Sequence, residues 1–156
     1  MLADLPTHVG RGKRIIGIDT GSKHIGLALS DPGLRVASAY GHIPSGKLSV
    51  IIEQLNSLIM REHVGGIVIG YPLNMDASDS RRSQSARAFA RNLNENGIYL
   101  PIAFWDERLT TVQARDIMIK QADLTRKKQQ QYVDKLAAQI ILQSALDYIF
   151  YASDDS

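Results

Sequence analysis

A short apolar run near the middle of the chain, Gly66 to Gly70, limits the possible folds more than any other feature. The run contains no polar side chain, which is typical of a strand buried on both faces of a parallel sheet. Apolar residues recur at helical spacing before it, from Lys47 to His63, and after it, from Ser80 to Asn94. A buried strand between two helices predicts an α/β fold.

Three further strands are expected before the first of these helices. Apolar and β-branched residues fill Arg14 to Ile18 and His24 to Ser30, which are separated by the polar turn Thr20 to Lys23. The turn Asp31 to Gly33 then leads to a third stretch, Arg35 to Ile43. Short turns between such stretches favour antiparallel neighbours, so these strands are expected to form a meander.

The remaining elements complete a mixed sheet. Leu100 to Trp105 is expected as the fifth strand, and Thr110 followed by Gln113 resembles a capping box that opens a helix to about Lys120. The last helix is expected from about Gln130 to Phe150. The order βββαβαβαα predicts an α/β fold with a mixed five-stranded sheet flanked by helices.

Length and composition limit the class of protein. The chain has 156 residues, 44% hydrophobic and 22% charged, which suits one globular domain, expected over residues 14–150. Residues 1–13 are expected to be a flexible polar extension and residues 151–156 a polar tail. The lack of cysteine excludes disulfide scaffolds, thiolate zinc sites and cysteine nucleophiles. No apolar run has the length of a membrane span and no secretory signal is visible, so a cytoplasmic protein is expected.

The net charge alone does not indicate a nucleic-acid-binding protein, because it is only +2. Its distribution is more informative. Basic residues cluster before the first strand, at Arg81 and Arg82, and at Arg126, Lys127 and Lys128. Such clusters suit contacts with phosphates, and solvated surface charge explains each of them equally well.

Acidic residues occur where a sheet of this kind builds sites. Asp19 ends the first strand, Asp106 and Glu107 follow the fifth strand, and Asp134 lies in the first half of the last helix. Ligands collect beyond the carboxyl ends of parallel strands, so Asp19 and Glu107 are expected to meet there if the first and fifth strands run in the same direction. Asp134 could then reach them from a helix that lies across that end of the sheet. Each also has a simpler explanation, since Asp19 could organise a turn, Asp106 or Glu107 could interact with a helix end, and Asp134 could be solvated.

The chemistry of clustered carboxylates favours a metal site. Carboxylates that lie together raise one another's pKa unless cations neutralise them, and Mg²⁺ prefers oxygen ligands. Two such ions promote the hydrolysis of phosphodiesters, and Asp19 is the best candidate to bridge them. Asp134 shares a helical face with the small or apolar residues Ala138, Ile141 and Ala145, where a carboxylate requires a partner.

Four ordered motifs carry a resemblance to a known family and span most of the chain from Arg14 to Ile149. The chain resembles the YqgF/RuvX family of bacterial proteins, which are described as pre-16S rRNA nucleases or Holliday junction resolvase homologues. The motifs are Gly17-Ile18-Asp19 with Gly21, Lys23 and Ile25-Gly26; Gly70-Tyr71-Pro72-Leu73-Asn74-Met75; Trp105-Asp106-Glu107-Arg108-Leu109-Thr110-Thr111; and Val133-Asp134-Lys135-Leu136-Ala137-Ala138.

The resemblance implies a ribonuclease H-like fold, a divalent metal, Mg²⁺ or Mn²⁺, and a nucleic-acid substrate. It implies that Asp19, Glu107 and Asp134 are the catalytic, metal-binding triad of the family. It also places the loop from Gly70 beside the catalytic cleft, so Asn74 is expected to contact substrate, although a structural turn explains this loop equally well.

The leading hypothesis is a metal-dependent endonuclease that matures the 5′ end of pre-16S rRNA and leaves a 5′-phosphate and a 3′-hydroxyl. Backbone phosphates are expected to contact the basic side chains of Lys23, Arg108, Arg126, Lys127 and Lys128. The family often has arginine where this chain has His24, and leucine or asparagine where it has Tyr71. These two differences bear on substrate preference and leave the triad complete.

Three alternatives stay open. A nuclease for four-way DNA junctions would use the same triad and predicts a symmetric homodimer, whereas the rRNA nuclease could be a monomer. A non-catalytic RNA-binding factor for ribosome assembly would bind metal without turnover. The segment Gly17 to Ser22 also resembles the phosphate loop of actin-like ATPases, but those proteins hold ATP between two domains and this chain has room for one.

Overall fold

The computed structural model of the chain describes residues 2–20, 24–71, 80–107 and 126–154, with the backbone alone at positions 3, 126–135 and 153–154. It contains five strands, four α-helices and a short 3₁₀ helix (Leu2–Asp4) in this part of the chain. The strands are β1 (Arg14–Thr20), β2 (His24–Ser30), β3 (Ala37–Pro44), β4 (Val64–Tyr71) and β5 (Ile102–Asp106). The helices are α1 (Leu5–His8), α2 (Leu48–Arg61), α3 (Arg81–Glu95) and α4 (Arg126–Asp154). The helix predicted from Thr110 to Lys120 lies outside the described residues.

The five strands form one mixed sheet in the order β3-β2-β1-β4-β5. β1 pairs antiparallel with β2, and β2 pairs antiparallel with β3, which confirms the predicted meander. β4 lies parallel to β1 on one side and to β5 on the other. The carboxyl ends of β1, β4 and β5 therefore lie at the same edge of the sheet, which we call the carboxyl edge.

Two apolar layers cover the two faces of this sheet. Side chains alternate between faces along each strand, so Ile16 and Ile18 of β1 face α2 and α3, while Ile15 faces α4. The central strand β4 is buried along nearly its whole length, as the apolar run at Gly66 to Gly70 predicted. Both faces of the parallel strands are therefore buried. Because side chains alternate between the faces, the face that each residue near the carboxyl edge occupies is determined by its position in the strand.

The flexible extension predicted for residues 1–13 is wrong for residues 2–9. Residues 2–8 are helical, and the side chains of Leu5 and Val9 are buried beneath them, Val9 being only 1% exposed. A Cβ at Gly66 would lie 2.6 Å from Val9 Cγ2, so Val9 rests directly on the backbone of β4. Leu5 and Val9 are four residues apart, which is the spacing of side chains on one helical face. The polar residues of the segment make this spacing hard to recognise in the sequence.

The last helix is longer at both ends than predicted. It begins at Arg126 and continues to Asp154, so residues 151–154 are helical and the predicted polar tail is wrong for them. The sequence after Phe150 has neither glycine nor proline to end the helix. None of the helices in the described residues is both long enough and apolar enough to span a membrane.

α4 lies across the sheet at a position fixed by close packing and by hydrogen bonds. A Cβ at Gly17 would lie 2.7 Å from Leu142 Cβ and 3.2 Å from the Ala138 carbonyl oxygen, so the helix approaches the backbone of β1 directly. The Ala37 amide donates to Gln143 Oε1 at 2.8 Å, and Gln139 Nε2 donates to the Ala37 carbonyl at 3.2 Å. These contacts set the rotation and height of α4 on the sheet.

Candidate active site

Asp19 projects from the carboxyl edge toward the side of the sheet that α4 covers. It is the sixth residue of β1 and follows Ile15 and Gly17 on the same face, because alternate residues of a strand share a face. The residue is only 7% exposed. A buried carboxylate held by a rigid strand requires a compensating charge or hydrogen bonds.

Glu107 lies beside Asp19 on the same face. It follows β5 directly, and Trp105, two residues earlier, is buried among the residues that α4 covers. Glu107 lies against Gly70 on the neighbouring strand, where a Cβ would be in ordinary contact with Glu107 Cδ at 3.4 Å but only 2.6 Å from Ile141 Cδ1. Glycine at position 70 therefore allows Ile141 of α4 to pack against β4 beside Glu107.

The two carboxylates interact electrostatically. The pKa of Glu107 is raised to about 7, first by burial and then by the negative charge of Asp19, with a smaller contribution from Asp106; Arg82 lowers it. Glu107 Oε2 is buried and has no hydrogen-bond partner in the described part of the chain. A cation bound between this oxygen and the Asp19 carboxylate would stabilise the ionised form of both groups.

The structure places Glu107 and its neighbour Asp106 on opposite faces of the sheet. Asp106 is the last residue of β5 and pairs with Tyr71 of β4. It shares a face with Phe104, which lies against Tyr71 at a ring-centroid distance of 5.4 Å on the opposite side of the sheet from α4. Of the two adjacent acids, Glu107 is the one beside Asp19.

Arg82 completes the described site, although the sequence identifies it only as part of a basic cluster. It lies in the first turn of α3, and its Nη2 is 3.2 Å from Asp19 Oδ1. A capping box fixes the start of this helix: the Ser83 amide donates to Ser80 Oγ and the Ser80 amide donates to Ser83 Oγ. The serine pair around Arg81-Arg82 is the signal that could have placed this arginine at the carboxyl edge.

The backbone of Asp134 lies nearer the carboxyl edge than the point where α4 crosses β1. β3 runs parallel to β1, and Gln143 of α4 contacts Arg35, just before β3, while Gln139 contacts Ala37, so α4 runs toward the carboxyl edge as its numbering falls. Leu142 Cβ and the Ala138 carbonyl oxygen are the α4 atoms nearest to Gly17. Asp134 precedes both residues in α4 and therefore lies beyond Gly17 in the direction of Asp19.

The remaining predicted site residues are not described at the level of side chains. Lys23, Asn74 and Arg108 lie outside the described residues, and Arg126, Lys127 and Lys128 occupy the first turn of α4, where the backbone alone is described. Within the described residues no group of three or more histidine, cysteine, aspartate or glutamate side chains surrounds a possible metal position. The described site therefore consists of Asp19, Glu107 and Arg82.

The sequence profile of the RuvX family, described as Holliday junction resolvase, matches residues 13–148, which include every residue of this site. The chain belongs to the RuvX family. Membership confirms the resemblance inferred from the four motifs and the predicted class of enzyme, a nuclease.

RuvX relatives with similar sequences come from several bacteria and carry the name "Putative pre-16S rRNA nuclease". The relative from Gluconacetobacter diazotrophicus is 47% identical over 139 residues, which are 89% of this chain and 90% of the relative. The relative from Phenylobacterium zucineum is 44% identical over 146 residues, 94% of each chain. These alignments cover the RuvX chain almost from end to end.

Solved structures confirm the predicted ribonuclease H-like fold. The structure of Thermus thermophilus RuvC in complex with a Holliday junction substrate has a TM-score of 0.55 and 14% sequence identity, and the alignment covers 92% of this chain and 97% of RuvC. The yeast mitochondrial Holliday junction resolvase Ydc2 has a TM-score of 0.50 and 11% identity, covering 99% of this chain and 90% of Ydc2. Since the sequence identities are this low, the comparison shows that the chain has the same fold as both proteins.

Proposed function

We propose that the protein is a divalent-metal-dependent endonuclease that hydrolyses phosphodiester bonds in the maturation of the 5′ end of pre-16S rRNA. The observation that carries this proposal is the pair of carboxylates at the carboxyl edge of the sheet, the buried Asp19 and the partly buried Glu107. The name shared by the relatives supports the choice of rRNA as substrate. Work on rRNA precursors implies a cytoplasmic enzyme.

The residues present fit a hard divalent cation such as Mg²⁺ or Mn²⁺. Glu107 Oε2 is buried without a hydrogen-bond partner in the described residues, and burial together with the charge of Asp19 opposes ionisation of the Glu107 carboxyl. Oxygen ligands of this type suit Mg²⁺ and Mn²⁺. Asp19 and Glu107 would hold the cation, together with Asp134, whose backbone lies in the part of α4 nearer the carboxyl edge. When bound, the cation supplies Lewis-acid stabilisation of the charge that develops on the phosphodiester oxygens.

The protein's own residues position the reaction. Asp19 is fixed by a central strand, and Glu107 is fixed against Gly70, so both carboxylates stay in place as substrate binds. α4 covers the face of the sheet on which both carboxylates lie. Arg82 at the carboxyl edge, together with the predicted contacts Lys23, Arg108 and the run Arg126 to Lys128, would contact phosphates and not base edges. Cleavage-site choice would then depend on the shape of the RNA.

A second candidate substrate is a four-way DNA junction. The description of the family favours it, because the matching profile is that of a Holliday junction resolvase. Resolution of a junction needs two coordinated cuts and therefore a symmetric pair of active sites. A chain that is monomeric at working concentrations and cuts RNA alone would exclude this candidate.

The test uses two substrates and two neighbouring carboxylates. Purified protein is incubated with an RNA that contains the 5′ precursor segment of 16S rRNA and with a synthetic DNA junction, each with Mg²⁺, Mn²⁺ or chelator. We expect metal-dependent cleavage of the RNA that is lost in Asp19→Asn and Glu107→Gln. The matched control is Asp106→Asn, which removes a charge one residue from Glu107 on the opposite face and should retain cleavage.

Each other outcome changes the conclusion. Paired cuts in the junction without cleavage of the RNA would identify a resolvase. RNA binding without cleavage of either substrate would identify a non-catalytic assembly factor. Equal loss of cleavage in Asp106→Asn and Glu107→Gln would show that cleavage does not depend on which face of the sheet the carboxylate occupies. The assignment of Glu107 to the site would then be wrong.

A further inference from the structure

Arg82 and Asp19 form an ion pair between a flexible side chain and a rigid one. Arg82 Nη2 lies 3.2 Å from Asp19 Oδ1, and the two side chains are 57% and 10% exposed. The backbone of Arg82 is fixed by the capping box at Ser80 and Ser83, while its long side chain extends through solvent to the carboxyl edge. The pair is therefore able to open from the arginine side without any change in the sheet or in α3.

The Arg82 guanidinium lies next to the two carboxylates of the site. Asp19 and Glu107 together carry two negative charges when both are ionised, and Arg82 supplies one positive charge next to them. The same arginine lowers the pKa of Glu107, against the larger effects of burial and of Asp19. A divalent cation at these carboxylates would supply two positive charges. Arg82 therefore neutralises half of the negative charge that the cation would neutralise.

A cation and Arg82 would also compete for the same oxygen. A guanidinium 3.2 Å from Asp19 Oδ1 occupies one of the directions from which a cation would be coordinated, and it repels a cation that approaches. The contact is a single hydrogen bond and not a bidentate pair, so it is readily exchanged. Arg82 has no other partner in the part of the chain that the structure describes.

We propose that Arg82 is the counter-ion of Asp19 while the site lacks a divalent cation, and that cation binding releases its guanidinium to hold a phosphate of the nucleic-acid substrate. This inference rests on the proposed nuclease function. Once released, the guanidinium remains attached to the first turn of α3 beside the carboxyl edge. It presents five N–H donors, which match the oxygens of a phosphate. Binding of the cation and binding of the substrate would thereby be coupled through one side chain.

The first arm of the test measures metal binding without catalysis. Mg²⁺ and Mn²⁺ are titrated into full-length protein by isothermal calorimetry, for the wild type, Arg82→Ala, Arg82→Lys and Arg81→Ala. Arg81 is the matched control because it is exposed, precedes Arg82 in the same helical turn and carries the same charge without the contact to Asp19. We expect Arg82→Ala to bind the cation about threefold to tenfold more tightly, the effect of an exposed ion pair plus lost repulsion. Arg81→Ala and Arg82→Lys should stay close to the wild type.

The second arm measures RNA binding with and without a cation. Fluorescence anisotropy of a labelled single-stranded RNA is recorded in chelator and in Ca²⁺, an oxygen-seeking cation used to occupy the site. Arg82→Ala should weaken RNA binding by about threefold to tenfold in Ca²⁺ and by less than about twofold in chelator, where Asp19 already holds the arginine. Arg81→Ala should have the same effect in both solutions.

The outcomes separate this inference from the proposed function. If the wild type binds Mg²⁺ or Mn²⁺ and Asp19→Asn does not, but Arg82→Ala binds as the wild type or more weakly, then Arg82 orients Asp19 and the exchange is wrong, while the nuclease proposal survives. Equal effects of Arg82→Ala on RNA binding in both solutions would likewise overturn the exchange. A wild-type chain that binds no divalent cation would overturn both proposals. Thermal melting of each variant in chelator confirms that the variants compared are folded.

Discussion

The backbone of Gly17 lies so close to Leu142 that a Cβ at position 17 would be 2.7 Å from the Cβ of Leu142. The contact joins β1, which carries Asp19, to α4, which carries Asp134. Since real Cβ atoms do not approach one another so closely, any side chain at position 17 displaces the helix from the sheet. The close approach of α4 to β1 thus depends on the absence of a side chain at Gly17.

Replacement of Gly17 by alanine should accordingly destabilise the fold and reduce cleavage. We expect the free energy of unfolding to fall by about 1–3 kcal/mol, the usual result of overpacking a core. The control is Gly41→Ala, since a Cβ at Gly41 would meet nothing within 4 Å. Urea denaturation of both variants checks the prediction, and equal stability of Gly17→Ala and the wild type would contradict the close approach of α4.

Replacement of Gln143 by alanine should loosen α4 from β3. Its side chain accepts from the Ala37 amide at 2.8 Å and donates to the Arg35 carbonyl at 3.0 Å. Loss of these partners leaves backbone groups unsatisfied and should lower the free energy of unfolding by about 1–3 kcal/mol. Gln54→Ala, on the exposed side of α2, should change it by less than about 0.5 kcal/mol. Chemical denaturation would decide between them, and a similar effect of both variants would argue against the placement of Gln143.

Metal-free stability should depend on pH through Glu107. Its pKa is raised to about 7 from an ordinary value of 4.5, so the folded state holds the proton more tightly than the unfolded state. The stability that this protonation contributes is present at acidic pH and is lost as the pH rises from about 4.5 through about 7. At pH 8 in chelator, Glu107→Gln should therefore be more stable than the wild type by on the order of 1–3 kcal/mol.

The difference between Glu107→Gln and the wild type should disappear near pH 4.5, where the wild-type carboxyl is also neutral. Thermal melts in chelator from pH 4.5 to 8.5 measure this convergence. Glu53→Gln, at an exposed position of α2, serves as the control and should parallel the wild type at every pH. A constant gap between Glu107→Gln and the wild type across the range would contradict the raised pKa of Glu107.

The N-terminal segment should contribute to stability despite its polar composition. Leu5 is buried against the α4 side of the sheet, so Leu5→Ala should lower the free energy of unfolding by about 2–4 kcal/mol. His8→Ala, at an exposed position of the same short helix, should have little effect. Should Leu5→Ala unfold at the same denaturant concentration as the wild type, residues 2–9 would not pack on the core in solution.

Much of the fold follows from the order of apolar patterns along the chain. The buried run at Gly66 to Gly70 and the helical spacing on either side of it predicted the central strand and its two flanking helices. The meander from Arg14 to Ile43 followed from its short turns. Local rules sufficed there because each element carries its own periodicity. The N-terminal segment was predicted wrongly, since two buried side chains in nine residues produce too weak a pattern to distinguish packing from a loose extension.

The sequence by itself determined the family, the order of the strands along the chain and the identities of the acidic residues. Only the tertiary structure decided that Asp106 and Glu107 occupy opposite faces of the sheet, and that Arg82 contacts Asp19 across 63 residues of sequence. The physical reason is that residue type and spacing determine which secondary structure each segment can form. The neighbours of a charge, and so its pKa and its partners, depend on which face of the sheet the side chain occupies after strands and helices have packed.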